Sequence, residues 1–319
     1  MTRPAPEISF IIPVHDEAGS VGVLVERISE EMRSLGRSHE IIVVDDGSRD
    51  GTDAVLEEAF RRTQELITLR LRRNFGKAAA LQLGFRRSRG DLIFTLDGDL
   101  QDDPMEIPRF LEKIAEGNDL VSGWKATRHD PLSKRLPSKV FNAVVGIVSG
   151  LRLHDFNCGY KCYRREVLGS IRIYGELHRF IPALAHAKGF RVAEISVRHH
   201  PRLHGRSKYG WKRIPRGFLD FLSVIMITRY PRTALHAFGT FGALLLLSSI
   251  VLAMVLLLCA ALDQDLGDTR ILVWLVALLA VAGGQALLFG VLADFLSRSF
   301  ATEPDDLVST NPYRAEGRE

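Results

Sequence analysis

The sequence predicts an α/β fold with a mostly parallel sheet covered on both faces, followed by juxtamembrane amphipathic helices and two transmembrane helices. Three observations carry that prediction. In the first half, short apolar runs alternate with stretches of helical periodicity, the pattern of strand–helix–strand units. Three of those runs end in carboxylates, Asp16/Glu17, Asp45/Asp46 and Asp97/Asp99; ligands of parallel sheets sit at the carboxyl ends of strands. Beyond residue 233, two long apolar stretches carry no Asp, Glu, Lys or Arg.

The elements follow in order. Ile8–Val14 is an apolar run closed by His15-Asp16-Glu17. Ser20 is placed to cap a helix over residues 20–35, where Val21, Leu24, Val25, Ile28, Met32 and Leu35 recur at helical spacing. A strand at 40–44 ends in Asp45-Asp46-Gly47-Ser48, and Thr52 is placed to cap the helix that runs to Arg62. Residues 67–71 form a third strand and 76–88 a third helix. Residues 92–96 form the central strand, 106–116 a helix and 119–122 a further strand.

The central strand runs directly into Asp97-Gly98-Asp99. Carboxylates two residues apart, where a strand ends and the chain turns, can face one point in space. Gly98 removes a side chain that would crowd an approaching ligand. Such oxygens suit a hard divalent cation, Mg²⁺ or Mn²⁺, that shares its shell with substrate phosphates. Gln101, Asp102 and Asp103 add polar groups within four residues.

At 319 residues the chain has room for about two domains. The net charge of +4 is mildly basic, with no dense Lys/Arg run, which fits a membrane surface or anionic substrates and no nucleic acid. Cys158, Cys162 and Cys259 are an odd number, without zinc spacing or a disulfide framework, and read as packing residues. Residues 1–7 contain no apolar signal-peptide core. Neither G-x-G-x-x-G nor G-x-x-x-x-G-K-[ST] occurs, which argues against a dinucleotide dehydrogenase and a P-loop NTPase.

Pro13-Val-His-Asp-Glu17, Val43-Val-Asp-Asp-Gly-Ser48, Arg73-Asn-Phe-Gly-Lys77 and Asp97-Gly-Asp-Leu-Gln101 resemble successive motifs of the inverting GT-A glycosyltransferases of family 2. His199-His-Pro-Arg-Leu-His-Gly-Arg-Ser-Lys208-Tyr209 resembles a motif of the branch containing dolichyl-phosphate mannose synthase and bacterial polyprenyl-phosphate glycosyltransferases. The resemblance covers roughly residues 8–300. It implies that Pro13, Glu17, Asp45, Asp46, Asn74 and Lys77 surround a nucleotide sugar. It also implies that Asp97 meets that sugar nucleotide, and that Asp97, Asp99 and Gln101 hold Mg²⁺ or Mn²⁺. Asp97, Asp99, Gln101 and Asp102 are the catalytic candidates. Lys125, Arg128, Arg202, Ser207 and Lys208 are candidates for the donor diphosphate or acceptor phosphate. His199, His200 and His204 read as structural.

The Q-x-x-R-W signature of processive synthases is absent, and no clear general base appears; Glu176-Leu-His178 is where one would stand. A sugar hydroxyl needs a base to attack. A phosphomonoester is already charged at neutral pH, so positioning and stabilisation of the leaving diphosphate can suffice.

Residues 136–153 and 211–227 read as amphipathic helices lying on a bilayer, and 234–262 and 271–292 as spans. The short, largely acidic connector and flanking Arg229, Arg232 and Arg298 place both termini in the cytoplasm. Gly283, Gly284 and Gly290 permit close helix contact within or between protomers. The expected organisation is a cytoplasmic catalytic domain (1–210), a juxtamembrane segment (211–232), a two-helix membrane region (233–296) and a disordered tail (297–319). The expected function is transfer of one sugar from a UDP- or GDP-linked donor to a polyprenyl phosphate at the inner membrane. The alternatives are another lipid acceptor, such as a diacylglycerol, or a non-catalytic scaffold.

Overall fold

A computed structural model describes residues 5–126, 132–171, 177–200, 234–262 and 269–299. The described residues fall into two compact units, one built on a sheet and one on two long helices.

The sheet has seven strands: β1 (Ile8–Val14), β2 (His39–Asp45), β3 (Leu66–Arg70), β4 (Leu92–Thr95), β5 (Leu120–Trp124), β6 (Lys161–Arg164) and β7 (Val192–Ser196). Their order is β3-β2-β1-β4-β6-β5-β7. All neighbours are parallel except β6, which runs antiparallel to both β4 and β5. The helices are α1 (Val21–Ser34), α2 (Thr52–Arg62), α3 (Lys77–Arg87), α4 (Ile107–Ala115), α5 (Leu132–Ser149), α6 (Arg165–Ser170) and α7 (Ile181–Ala187). Short 3₁₀ turns, Pro104–Glu106 and Leu177–Phe180, lead into α4 and α7.

Alternation along the central strands divides the core between the two sheet faces. Ile8, Phe10 and Ile12 of β1 pack with Leu24, Ile28 and Met32 of α1 and with Phe94 of β4. Ile11 packs on the other face with Leu81 of α3 and Ile93 of β4. The aromatic layer continues on the first face, where Phe10 stacks on Phe94 at 5.2 Å and Phe110 lies 4.5 Å from Tyr160. Cys158 and Cys162 are buried and free, as their spacing predicts.

Several local expectations change. Ser20 occupies the N-cap of α1, but its hydroxyl bonds to Glu17 rather than to a helix N–H. Thr52 is the first residue of α2; the cap position belongs to Gly51, in the left-handed region at φ 91°. Gly98 serves packing rather than ligand access, because a Cβ there would lie 2.6 Å from Val14 Cγ1. The first helix after β5 covers Leu132–Ser149 rather than 136–153; it buries Val145 and exposes Ile147. β6 has four residues and no periodicity of its own, and it enters the sheet unannounced by the sequence.

In the second unit, α8 (Ala234–Ala261) and α9 (Thr269–Ser299) pack along their lengths. Both are long and apolar enough to cross a membrane. A Cβ on Gly242 would stand 2.8 Å from the carbonyl of Gly283, and the Ser249 hydroxyl donates to the Val276 carbonyl at 2.9 Å. Gly283 and Gly290 therefore serve contact within the protomer, while Gly284 faces open space. Residues 211–227, Arg229, Arg232, most of the acidic connector and residues 300–319 lie outside the described residues; residues 297–299, expected in the disordered tail, instead belong to α9.

Candidate active site

The carboxyl ends of β1, β2 and β4 bring three loops together. Pro13 sits near the end of β1, opposite Val44 of β2. The chain then turns through Asp16, a non-glycine residue held at φ 53°. That turn is knitted to the β2 loop. The Asp16 N–H donates to Ser48 Oγ at 2.9 Å, and the Glu17 N–H donates to Thr52 Oγ1 at 3.0 Å. Asp45, buried at the end of β2, accepts the backbone N–H of Ser48 at 2.8 Å and lies 3.4 Å from Arg70 Nε. Asp46 accepts the N–H groups of Phe75 and Gly76 at 2.7 and 2.9 Å, so it fixes the loop that carries Asn74 into α3. Gly47 makes this junction possible. Its φ is 72°, and a Cβ would fall 2.7 Å from the Arg73 carbonyl carbon.

After β4 the chain makes a polar turn through Leu100, at φ 59° the other non-glycine residue in the left-handed region among those described. Backbone held this way clusters at functional sites. Asp97 forms an ion pair with Lys77, the first residue of α3. Asp99 is buried, and its Oδ1 accepts the Gln101 N–H at 3.3 Å. Gln101 donates its side-chain amide to the His200 carbonyl at 3.2 Å, while the Gln101 carbonyl accepts the His200 N–H at 2.9 Å. Asp102 is fully covered; its Oδ2 accepts the Asp97 N–H at 3.3 Å, and its Oδ1 lies 3.2 Å from Lys125 Nζ. His200 reaches Asp103 at 3.1 Å, and His199 bridges to Asp102. The two histidines thus tether the acidic turn to the strand-end loop after β7.

A recess opens beside Asp97, lined by Lys77, Asn157, Gly159, Lys161, His178 and Arg179 among others. Its floor is close to the carboxylate, since a Cβ on Gly159 would lie 2.7 Å from both Asp97 oxygens. Thr95 Oγ1 holds the Gly159 carbonyl at 2.7 Å, and Lys161 donates to the Cys158 carbonyl.

Charge follows from this geometry. Burial works against ionisation of Asp97, yet Lys77, Lys125 and Lys161 outweigh it and hold its carboxyl well below the ordinary range. Burial likewise opposes the charge on Lys125, but Asp102 above all raises it beyond the usual lysine value. Burial lowers His178 well below the ordinary histidine range, and neighbouring Lys77, Arg179 and Lys161 push it further down. The imidazole is neutral at physiological pH.

Pro13, Glu17, Asp45, Asp46, Asn74, Lys77, Asp97, Asp99, Gln101 and Asp102 thus lie on neighbouring strand-end loops, with Lys125 paired to Asp102. Among the described residues no three His, Cys, Asp or Glu side chains are grouped to hold a metal; Asp97 is engaged by Lys77. Arg128, Arg202, Ser207, Lys208 and His204 lie outside the described residues, as does Glu176. Lys161, Gly159 and Arg179 escaped sequence reasoning because their loop and short strand carry no motif. The sequence points to His178 only as the neighbourhood of an absent base, and it lines the recess.

The model of the glycosyl transferase family 2 matches residues 9–172. The chain belongs to that family. Dodecaprenyl-phosphate galacturonate synthase of Rhizobium johnstonii is 39% identical to this family 2 chain over 307 residues, covering 92% of it and 88% of the relative. Undecaprenyl-phosphate 4-deoxy-4-formamido-L-arabinose transferase of Pseudomonas paraeruginosa is 35% identical over 300 residues, with coverage of 93% and 87%. Glucosyl-3-phosphoglycerate synthase of Mycobacterium tuberculosis, solved with Mn²⁺ and UDP-glucose, shares the GT-A-like fold. Its TM-score is 0.52 at 16% identity, covering 69% of this chain and 78% of that one. The family 2 enzyme is therefore a glycosyltransferase with a mostly parallel mixed sheet and two apolar helices after it.

Proposed function

We propose that the chain transfers a single sugar, with inversion, from a UDP- or GDP-linked donor to a polyprenyl phosphate at the cytoplasmic face of the inner membrane. The observation that carries this is the junction of the β1, β2 and β4 loops around Asp45, Asp97 and Asp99, in a chain 39% identical to a dodecaprenyl-phosphate transferase over nearly its whole length. Pro13, Glu17, Asp45, Asp46 and Asn74 form the nucleotide side. Asp97, Asp99 and Gln101 would hold Mg²⁺ or Mn²⁺; carboxylate and amide oxygens around a buried Asp99 are the hard donors such ions take. The bound ion would offset the charge of the leaving diphosphate.

Lys77 and Lys125 hold the acidic turn in place through Asp97 and Asp102 and add positive charge beside it. Arg128, Arg202, Ser207 and Lys208 belong to the phosphate side by the same reading. No protein base is required, because the acceptor phosphate attacks in its charged form. The apolar helices α8 and α9 would keep the catalytic unit beside an acceptor whose tail is in lipid, with both termini cytoplasmic.

The test mixes detergent-purified full-length protein, Mn²⁺ or Mg²⁺ and undecaprenyl phosphate with labelled UDP- and GDP-sugars. Label should enter the lipid phase from one donor, and Asp99→Ala should lower the rate at least 100-fold. Donor binding without transfer to any polyprenyl phosphate would overturn the acceptor assignment.

A further inference from the structure

We infer that Glu194, which stands outside the loops after β1, β2 and β4, is a positioning residue for sugar transfer. It fixes the turn at 154–156 and, through that turn, the backbone that stands against Asp97. The inference rests on the transferase reading above and deepens it. Glu194 lies on β7, and its side chain is 10% exposed. Its carboxylate faces a single turn. Oε1 accepts the backbone N–H groups of His154 at 3.1 Å and Asp155 at 3.0 Å. Oε2 shares the His154 N–H at 3.0 Å and lies 2.7 Å from Nδ1 of the same residue's ring. An ionised carboxylate only accepts hydrogen bonds, and bonds of this kind are stronger than neutral ones. β7 does not need them to stay in the sheet, because its parallel ladder with β5 runs the length of both strands.

Two further groups close on the same turn. Asn142 of α5 is buried; its side-chain amide donates to the His154 carbonyl at 2.7 Å and accepts the Phe156 N–H at 3.4 Å. The His154 ring stacks on Trp124, the last residue of β5, with centroids 4.0 Å apart. From this turn the chain runs directly to the site. Asp155 Oδ1 accepts the Asn157 N–H at 3.1 Å. Two residues on, the backbone passes so close that a Cβ on Gly159 would lie 2.7 Å from both Asp97 oxygens. Lys125, next after Trp124, pairs with Asp102 in the acidic turn. Glu194 thus secures from behind the backbone beside Asp97 and, through the His154–Trp124 stack, the strand end that carries Lys125. A shift of about 1 Å at a reacting centre can cost about 100-fold in rate, and loss of this brace frees the turn to make one.

The test compares Glu194→Gln and Asn142→Ala with a control, Asp119→Asn, each in the full chain in detergent with Mn²⁺. Gln keeps the shape of Glu, but its NH₂ would stand against N–H donors. Asp119 is likewise buried and accepts the Arg191 N–H at 2.8 Å, at the opposite end of β5 and β7. Turnover is measured with undecaprenyl phosphate and the donor that the wild type uses among UDP- and GDP-sugars. UDP and GDP affinity and the melting temperature are measured alongside. Glu194→Gln should lower kcat at least about tenfold while nucleotide affinity stays within about threefold, and Asn142→Ala should give the same split. Asp119→Asn should lower the melting temperature and leave kcat within about twofold of wild type. A folded Glu194→Gln chain that keeps more than about a tenth of the wild-type kcat, or a control that loses as much, overturns the inference. Should Glu194→Gln fail to fold, Asn142→Ala decides by the same comparison. A wild type that moves no sugar to lipid from any donor overturns the transferase reading and this role with it.

Discussion

At the level of single residues, the site is a set of charges that hold one another. Asp102 has no exposed side-chain surface, and Lys125 is its cation at 3.2 Å. Removing one partner of such a pair leaves the other buried and uncompensated. Lys125→Met should therefore cost about 3–5 kcal/mol of stability, read as a lower midpoint in thermal or urea unfolding, in addition to any loss of turnover. His178 gives a pH dependence of definite sign. Its folded pKa is depressed, so the unfolded state binds the proton first as pH falls. Stability attributable to it is complete above about pH 6.5 and declines below that, by at most about 1.4 kcal/mol per pH unit. His178→Gln should flatten that part of the stability–pH curve, and an unchanged slope would show that the ring is solvated.

At the level of elements, close approach rather than propensity fixes how α3 lies on the sheet. An alanine in place of Gly84 gains about 1 kcal/mol of helix propensity, but its Cβ would collide with Ile11 Cγ2. Ile11 is β-branched and packed within the sheet, so it cannot turn aside at low cost. Gly84→Ala should be net destabilising by about 1–3 kcal/mol, and a stabilised variant would mean that α3 slides freely on β1. Such contacts also mark the limit of sequence reasoning. β1, β2 and β4 were legible because burial on both faces leaves continuous apolar runs. The carboxylates after them were legible because charge gathered where a buried strand ends stands at the rim on which parallel sheets meet their ligands. β6 was not: Lys161-Cys162-Tyr163-Arg164 contains two cations, and its place comes from pairing with β4 and β5 across the sheet. With it went the floor of the recess, while His178 and Arg179 lie on a 3₁₀ turn too short to show a period.

At the level of the whole molecule, the two units differ in solvent. The sheet unit buries its apolar residues, whereas α8 and α9 expose Leu257, Trp274 and Phe295 along their outer faces. Helices of that length and surface suit a bilayer, and on the proposed membrane placement the full chain should stay in the membrane pellet after alkaline carbonate extraction. Recovery in the supernatant would show that the helices are covered by protein instead. Gly242→Leu should disturb the pairing of α8 and α9, because the side chain would be driven into the Gly283 carbonyl; the expected sign is a lower melting temperature in detergent.

The late position of α8 along the chain bears on how the protein is made. A ribosome adding about 5–20 residues per second needs about 2–8 s to pass from Ser196, the end of β7, to Ala234, the start of α8. By then every strand of the sheet has been synthesised. The loops after β1, β2 and β4 and the recess beside Asp97 thus leave the exit tunnel ahead of α8, and folding of the sheet unit has a head start on the two apolar helices.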